Sequence, residues 1–93
     1  MRAPNSDDFR GYIIQRFRDG ETEVKTFIDL KAGEVHRGVG GYPAPDGNHR
    51  MLVCCQVTKG EMQFGDEILF SPPSGQGALL QIRYRLPRNW LNA

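Results

Sequence analysis

The spacing of hydrophobic positions along this 93-residue chain changes period several times, and each change marks an element. Phe9, Tyr12, Ile13 and Phe17 recur at three- and four-residue steps, which builds one apolar stripe on a helix. Ser6 supplies an N-cap, Asp7 and Asp8 the negative charge that helix starts favour, and Asp19-Gly20 a stop. The pattern therefore predicts a first helix over about 7–18. KTFIDL, residues 25–30, carries Thr, Phe and Ile in a short run and predicts a brief strand. Asp29 can cap a short second helix over 31–39, whose Val35 and Val39 share a face. Gly33 and Gly38 lower its intrinsic propensity, so it needs tertiary support. Gly40-Gly41 supplies a left-handed terminator.

Residues 42–47 form a rigid connector, since Pro43 and Pro45 block helical continuation. Asn48 caps a third predicted helix over about 49–60. Met51, Cys54, Cys55, Val57 and Met62 gather on one side of its wheel, and His49, Leu52, Val53, Gln56 and Lys59 on the other. After Gly65, DEILFS alternates Ile68 and Phe70 against Glu67 and Leu69. PPSGQG, residues 72–77, is turn chemistry throughout. In residues 78–86, Leu80, Ile82, Tyr84 and Leu86 face one way, while Gln81, Arg83 and Arg85 face the other. Two strands around a Gly-Pro loop predict a hairpin.

Composition narrows the class. The length suits one domain spanning 1–93, with residues 1–5 as a loose arm and 87–93 as a tail. Apolar residues at 39% and charged residues at 25% match an ordinary globular chain rather than a disordered one. Two adjacent cysteines make no disulfide framework, so reduced, buried thiols in a cytoplasmic protein are expected. No apolar run approaches the roughly 20 residues that span a bilayer, and no membrane association is expected. Net charge is only +1, yet residues 71–93 hold Arg83, Arg85 and Arg88 and no acid, so one end can be locally positive.

Helix, strand, helix, turn, helix, then a hairpin with a long tip: this order resembles the winged helix-turn-helix fold over about residues 6–86. The expected class is α+β, three short helices with a C-terminal β-hairpin wing. The runs HRGVGGYP, NHRM, CCQV and SPPSGQGA with IRYRLPR are also similar to small bacterial proteins, some from mobile gene cassettes, which implies no activity. In the winged-helix family the third helix enters the major groove and the wing touches backbone or minor groove. By position, the resemblance implies duplex DNA as partner. His49, Arg50, Gln56 and Lys59 become groove residues, and Ser74, Gln76, Arg83 and Arg85 wing contacts, with Arg37 contributing to the same positive stripe. The connector over 40–47 is longer than the three- or four-residue turn of helix-turn-helix units.

Residue chemistry agrees in outline. Gln56 can pair bidentately with adenine and Lys59 can reach phosphate or guanine, on a face without acids. The plain alternative is a solvated helix face. Arg83 and Arg85 can track phosphates or blunt an exposed sheet edge. Leu52 and Val53 on the outward face favour a different class, a non-catalytic protein-interaction module of winged-helix type. Trp90 and Leu91 in the tail are candidate homodimer contacts, or fold back on the core.

Catalytic and cofactor readings fare worse. A zinc site from His36, His49, Cys54 and Cys55 lacks the CxxC gap that turns two thiolates toward one ion. GNHR has no later histidine to complete an HNH-type metal site. A Cys-His nucleophile needs an accessible thiolate, and both cysteines fall on the predicted core side. GVGG and GQG lack the Lys and Ser/Thr of a phosphate loop. No enzyme, metal or cofactor is expected, and His36 is placed at the surface or half-buried.

Overall fold

A computed structural model of the chain describes residues 4–40 and 50–88. The first helix, α1, spans Ser6–Thr22 and is longer than its predicted 7–18 at both ends. Asn5, not Ser6, is the N-cap: its Oδ1 accepts from the Asp8 N–H at 3.0 Å, and its own N–H donates to Asp8 Oδ2 at 2.9 Å. This reciprocal pair satisfies two backbone donors at once, which Ser6 could not do with the residue three places on.

Gly20 does not stop α1, because its missing side chain is used for packing. A Cβ there would stand 2.6 Å from Leu86 Cδ1 and 3.0 Å from Ile28 Cγ2. The helix ends instead in a two-bond cap, with Lys25 N–H donating to Gly20 O at 2.9 Å and Val24 N–H to Glu21 O at 3.0 Å. That geometry places Val24 at φ 59, a left-handed conformation that β-branched residues rarely adopt.

Strand β1, Phe27–Lys31, runs directly into helix α2, Ala32–Val39. Asp29 does not cap α2. The first amides of the helix are taken by the chain leading into the last strand: Ala32 N–H donates to Leu80 O and Gly33 N–H to Ala78 O, both at 2.9 Å. The two glycines that lower helix propensity are sites of close approach. A Cβ at Gly33 would meet Ala78 Cβ at 3.0 Å, and one at Gly38 would collide with the Tyr12 ring.

Helix α3 spans Met51–Gly60, followed by strands β2, Glu67–Phe70, and β3, Gln81–Arg85. The three strands form one antiparallel sheet in the order β1-β3-β2. Register is set by Ile28↔Tyr84 and Leu30↔Ile82 on one side of β3 and by Ile68↔Ile82 on the other, with an irregularity between Ile68 and Phe70. The described residues therefore form a small α+β fold of three helices against a three-stranded antiparallel sheet. The predicted hairpin is present, since β2 and β3 pair.

The core lies between helices and sheet. Phe9, Ile13 and Phe17 of α1, Leu30 of β1, Val35 of α2, Cys54 and Cys55 of α3 and Ile82 and Tyr84 of β3 are buried, as are the flanking Leu80 and Leu86. All four inward residues predicted for the last strand are among them. The Tyr84 ring meets Phe17 edge-on at 4.9 Å, and its hydroxyl donates to Thr58 O, which fixes β3 to α3.

Two buried polar groups depart from the sequence reading. His36 is wholly buried rather than at the surface, edge-on to Phe9 at 4.9 Å. Its Nε2 accepts from Arg50 N–H at 3.0 Å, so the ring proton sits on Nδ1, 3.2 Å from Gly40 O. One imidazole thus holds both ends of the connector whose residues 41–49 lie outside the described chain. Arg88, assigned to a tail, has a side chain only 2% exposed. Its Nη1 donates to both Asp66 oxygens at 2.8 Å and its Nη2 to Glu61 O, while the guanidinium lies 4.4 Å from the Phe17 ring centre. Asp66 also accepts from Arg85 N–H and Gln63 N–H, so this pair closes the loop before β2 against the end of β3.

Candidate nucleic-acid interface

The orientation of α3 follows from its inner face. Cys54 Sγ–H donates to Ala32 O at 3.3 Å. Cys55 Sγ both donates to Gly77 O at 3.4 Å and accepts from Gly77 N–H at 3.2 Å. The thiols thus tie the helix to the start of α2 and to the hairpin loop. Burial pushes the Cys54 thiol up from its ordinary 9.0 to about 12, which keeps it protonated and unreactive at neutral pH. Both cysteines are free, in agreement with a packing role.

With that face fixed, Leu52, Gln56 and Lys59 project outward in one stripe, spaced by four and three residues. Leu52 and Gln56 are exposed, Lys59 is half-buried, and no acid lies between Arg50 and Gly60. Val53, predicted on the outward side, is half-buried and packs against the core. Arg50 is exposed and precedes the helix, whose first turn contains no acid.

The hairpin loop meets the far end of this stripe. Gly75 N–H donates to Pro72 O at 2.7 Å, and Gly75 adopts φ 78, closing a tight turn. Ser74 Oγ donates to Gln76 O at 2.6 Å within it. Lys59 Nζ donates to Gly75 O at 2.5 Å, joining α3 to the turn. Gln56, Lys59, Ser74 and Gln76 are therefore brought to one surface.

Other predicted site residues lie apart from it. Arg83 and Arg85 occupy the sheet face turned away from the helices, about 7 and 13 Å along the strand from Gln81. Arg83 is held by Asp29 through two hydrogen bonds, Nε at 2.8 Å and Nη2 at 3.1 Å, and lies 4.2 Å from the Phe27 ring centre. Asp29 favours its charged form and raises its pKa. Arg85 is exposed, its stem covering Gly65. Arg37 is exposed on α2, and His49 lies outside the described residues, as do Trp90 and Leu91.

Much of the positive charge is already countered. Arg10 faces Glu61 at 3.5 Å, Arg16 faces Glu34 at 3.8 Å, and Lys25 faces Glu23 at 3.6 Å. Sequence reasoning also missed the surface of β2, where all four residues are exposed, including Ile68, Leu69 and Phe70. Alternation in that segment signalled a strand, but nothing in it signalled that both faces would stay uncovered. Among the described residues no His, Cys, Asp and Glu side chains group as a metal site, and no helix is long and apolar enough to cross a membrane. No protein-family model, curated protein or solved structure matches the chain.

Proposed function

We propose that this chain is a DNA-binding domain of winged-helix type, with α3 in the major groove and the 72–77 turn on the backbone beside it. The observation that carries this reading is the acid-free outward stripe of α3, joined to the turn by the Lys59–Gly75 bond. Gln56 stands at the centre of that stripe with an amide able to read adenine. Lys59 keeps two of its three ammonium donors after bonding Gly75, so one can still reach a phosphate. The β1-β3-β2 order, with the hairpin following the third helix, supports the same assignment. Arg83, committed to Asp29, is better read as a cross-strand brace than as a wing contact.

Fluorescence polarisation with a labelled duplex pool across salt concentration tests this. Even three phosphate contacts correspond to a roughly 40-fold loss of affinity between 50 and 200 mM salt. Gln56→Ala should relax sequence preference without changing the melting temperature. Absence of any duplex binding at 20 mM salt would sink the proposal.

A second reading rests on its own observation. Leu52, at the N-terminal end of the stripe, is 52% exposed, and the β2 side chains Ile68, Leu69 and Phe70 are exposed together. Such apolar surface suits a protein partner better than phosphate, and it favours a winged-helix protein-interaction module. Leu52→Gln separates the two: it abolishes protein binding but spares affinity for a duplex.

A further inference from the structure

The sheet has two outer strands, and β1 is the one farthest from the hairpin edge. Its pairing with β3 fixes which backbone groups are spent. Leu86 N–H donates to Thr26 O and Ala32 N–H to Leu80 O, so even-numbered residues of this stretch form the hydrogen-bonded pairs. The odd-numbered residues direct their N–H and C=O groups to the open side. Lys31 N–H is met there by Glu34 Oε1 at 3.3 Å. Among the described residues, no backbone group meets the two N–H and two C=O groups that Phe27 and Asp29 present along this edge.

That edge borders an open cavity of about 560 Å³ lined by residues 24–29 and Arg16 of α1. A second hollow, of about 200 Å³, shares Thr26 and Phe27 with it and includes Arg83 and Arg85. Phe27, 43% exposed, stands between them, and Val24, 85% exposed in its left-handed conformation, forms one lip. The larger cavity is lined by two cations, Arg16 and Lys25, and one acid, Asp29, which is already neutralised by Arg83. The ion pairs of Arg16 and Lys25 are long and open to water, hence of little energetic weight. A better-placed carboxylate can therefore displace Glu34 and Glu23, while Arg16, half-buried, keeps its hydrogen bond to the Tyr12 hydroxyl.

We propose that the free edge of β1 is a docking strand for an extended peptide of another protein in which acidic and apolar residues alternate. The peptide adds a fourth strand, hydrogen-bonded to Phe27 and Asp29. In such a strand, successive side chains point to opposite faces. Its carboxylates then turn toward Arg16 on the helix side, and its apolar side chains toward Phe27 on the outer face. A second copy of this chain fits less well. Two-fold pairing centred on Asp29 sets that carboxylate opposite its own copy, and the Lys31 amide needed at each end is occupied. This site is separate from the α3 and turn surface, so the two activities stand or fall independently.

The test uses a fluorescent decapeptide alternating Glu and Val, with a Lys/Val peptide as control, against the full chain. The Glu/Val peptide should bind, and Phe27 and Asp29 amides should gain hydrogen-exchange protection. The Lys/Val peptide should bind at least about tenfold more weakly. The pair Arg16→Glu with Lys25→Glu should reverse that preference while the circular dichroism melt is unchanged. Peptides N-methylated on Glu alone or on Val alone leave the protein intact, and one of the two should lose binding while the other keeps it. Equal binding of the acidic and basic peptides, equal loss with both methylated forms, or protection at other strands would overturn the proposal. Edge protection that rises with protein concentration without peptide would overturn it in favour of self-pairing. Duplex binding measured on the same double variant should be unchanged, which keeps failure of this site distinct from failure of the DNA reading.

Discussion

Two arginine–aspartate pairs brace the same strand, and they differ in almost everything except chemistry. Arg83 and Asp29 meet across β3 and β1 with side chains 37% and 27% exposed. Arg88 and Asp66 meet just beyond the end of β3 with side chains 2% and 0% exposed. Water screens the first pair and competes for its hydrogen bonds, so its contribution to stability is small. The second pair is enclosed by Phe17 and Tyr84, and its oxygens also serve two backbone N–H groups. Removing either partner there strands a charge with nowhere to go. Proximity to a counter-ion says little about importance until enclosure is known.

The largest effect that separates the pairs is therefore Arg88→Ala. It should cost about 3–5 kcal/mol, a large share of the stability of a domain this small. A chemical denaturation midpoint within error of wild type would erase the distinction. Replacing both Arg88 and Asp66 by apolar residues should not restore stability, because the Arg85 and Gln63 amides would then be orphaned.

Enclosure acts on protons as well. The buried Cys54 thiol holds its proton to about pH 12, whereas in the unfolded chain it ionises near its ordinary 9.0. Unfolding in that window releases a proton, so stability is whole below about pH 9 and declines between pH 9 and 12. Urea titrations at pH 8, 10 and 11 should show the decline, and Cys54→Ala should lessen it, leaving the part that belongs to the Tyr84 hydroxyl, whose pKa burial also raises. A slope identical in the variant would assign the loss to other groups.

The smallest effect belongs to the exposed pair. Arg83→Ala, Asp29→Ala and the double variant should give a coupling energy close to zero, reduced further by salt. A coupling near that expected for a buried pair would mean that the Phe27 ring shields this site from solvent far more than its exposure suggests.

The same contrast explains what could be read from the chain beforehand. The inward set Leu80, Ile82, Tyr84 and Leu86 was legible because a two-residue period has one interpretation when every second side chain is large and apolar. The stripe of α1 was legible for the same reason at the helical period. Its end was not, because a glycine that terminates a helix and a glycine that admits Leu86 look alike in sequence. Arg88 and His36 were misplaced since a polar residue goes inside only where distant partners await it. Asp66 and the Arg50 amide are named by no local pattern. The candidate surface was half legible. Spacing put Gln56 and Lys59 on one face, and the turn residues Ser74 and Gln76 lie beside it, whereas Arg83 and Arg85, expected with them, do not. Nothing local revealed that Asp29 had claimed Arg83.

Strand β3 lies between β1 and β2, which never touch, and it is the last of the three to be made. A nascent chain that has emerged only as far as residue 80 owns two strands and no sheet. Its helices can pack on one another, but their sheet-facing side chains stay uncovered until residues 81–85 arrive, and Arg88 then latches the assembly. Synthesis and folding are thus forced into order: the sheet cannot close before the central strand, residues 81–85, has been made.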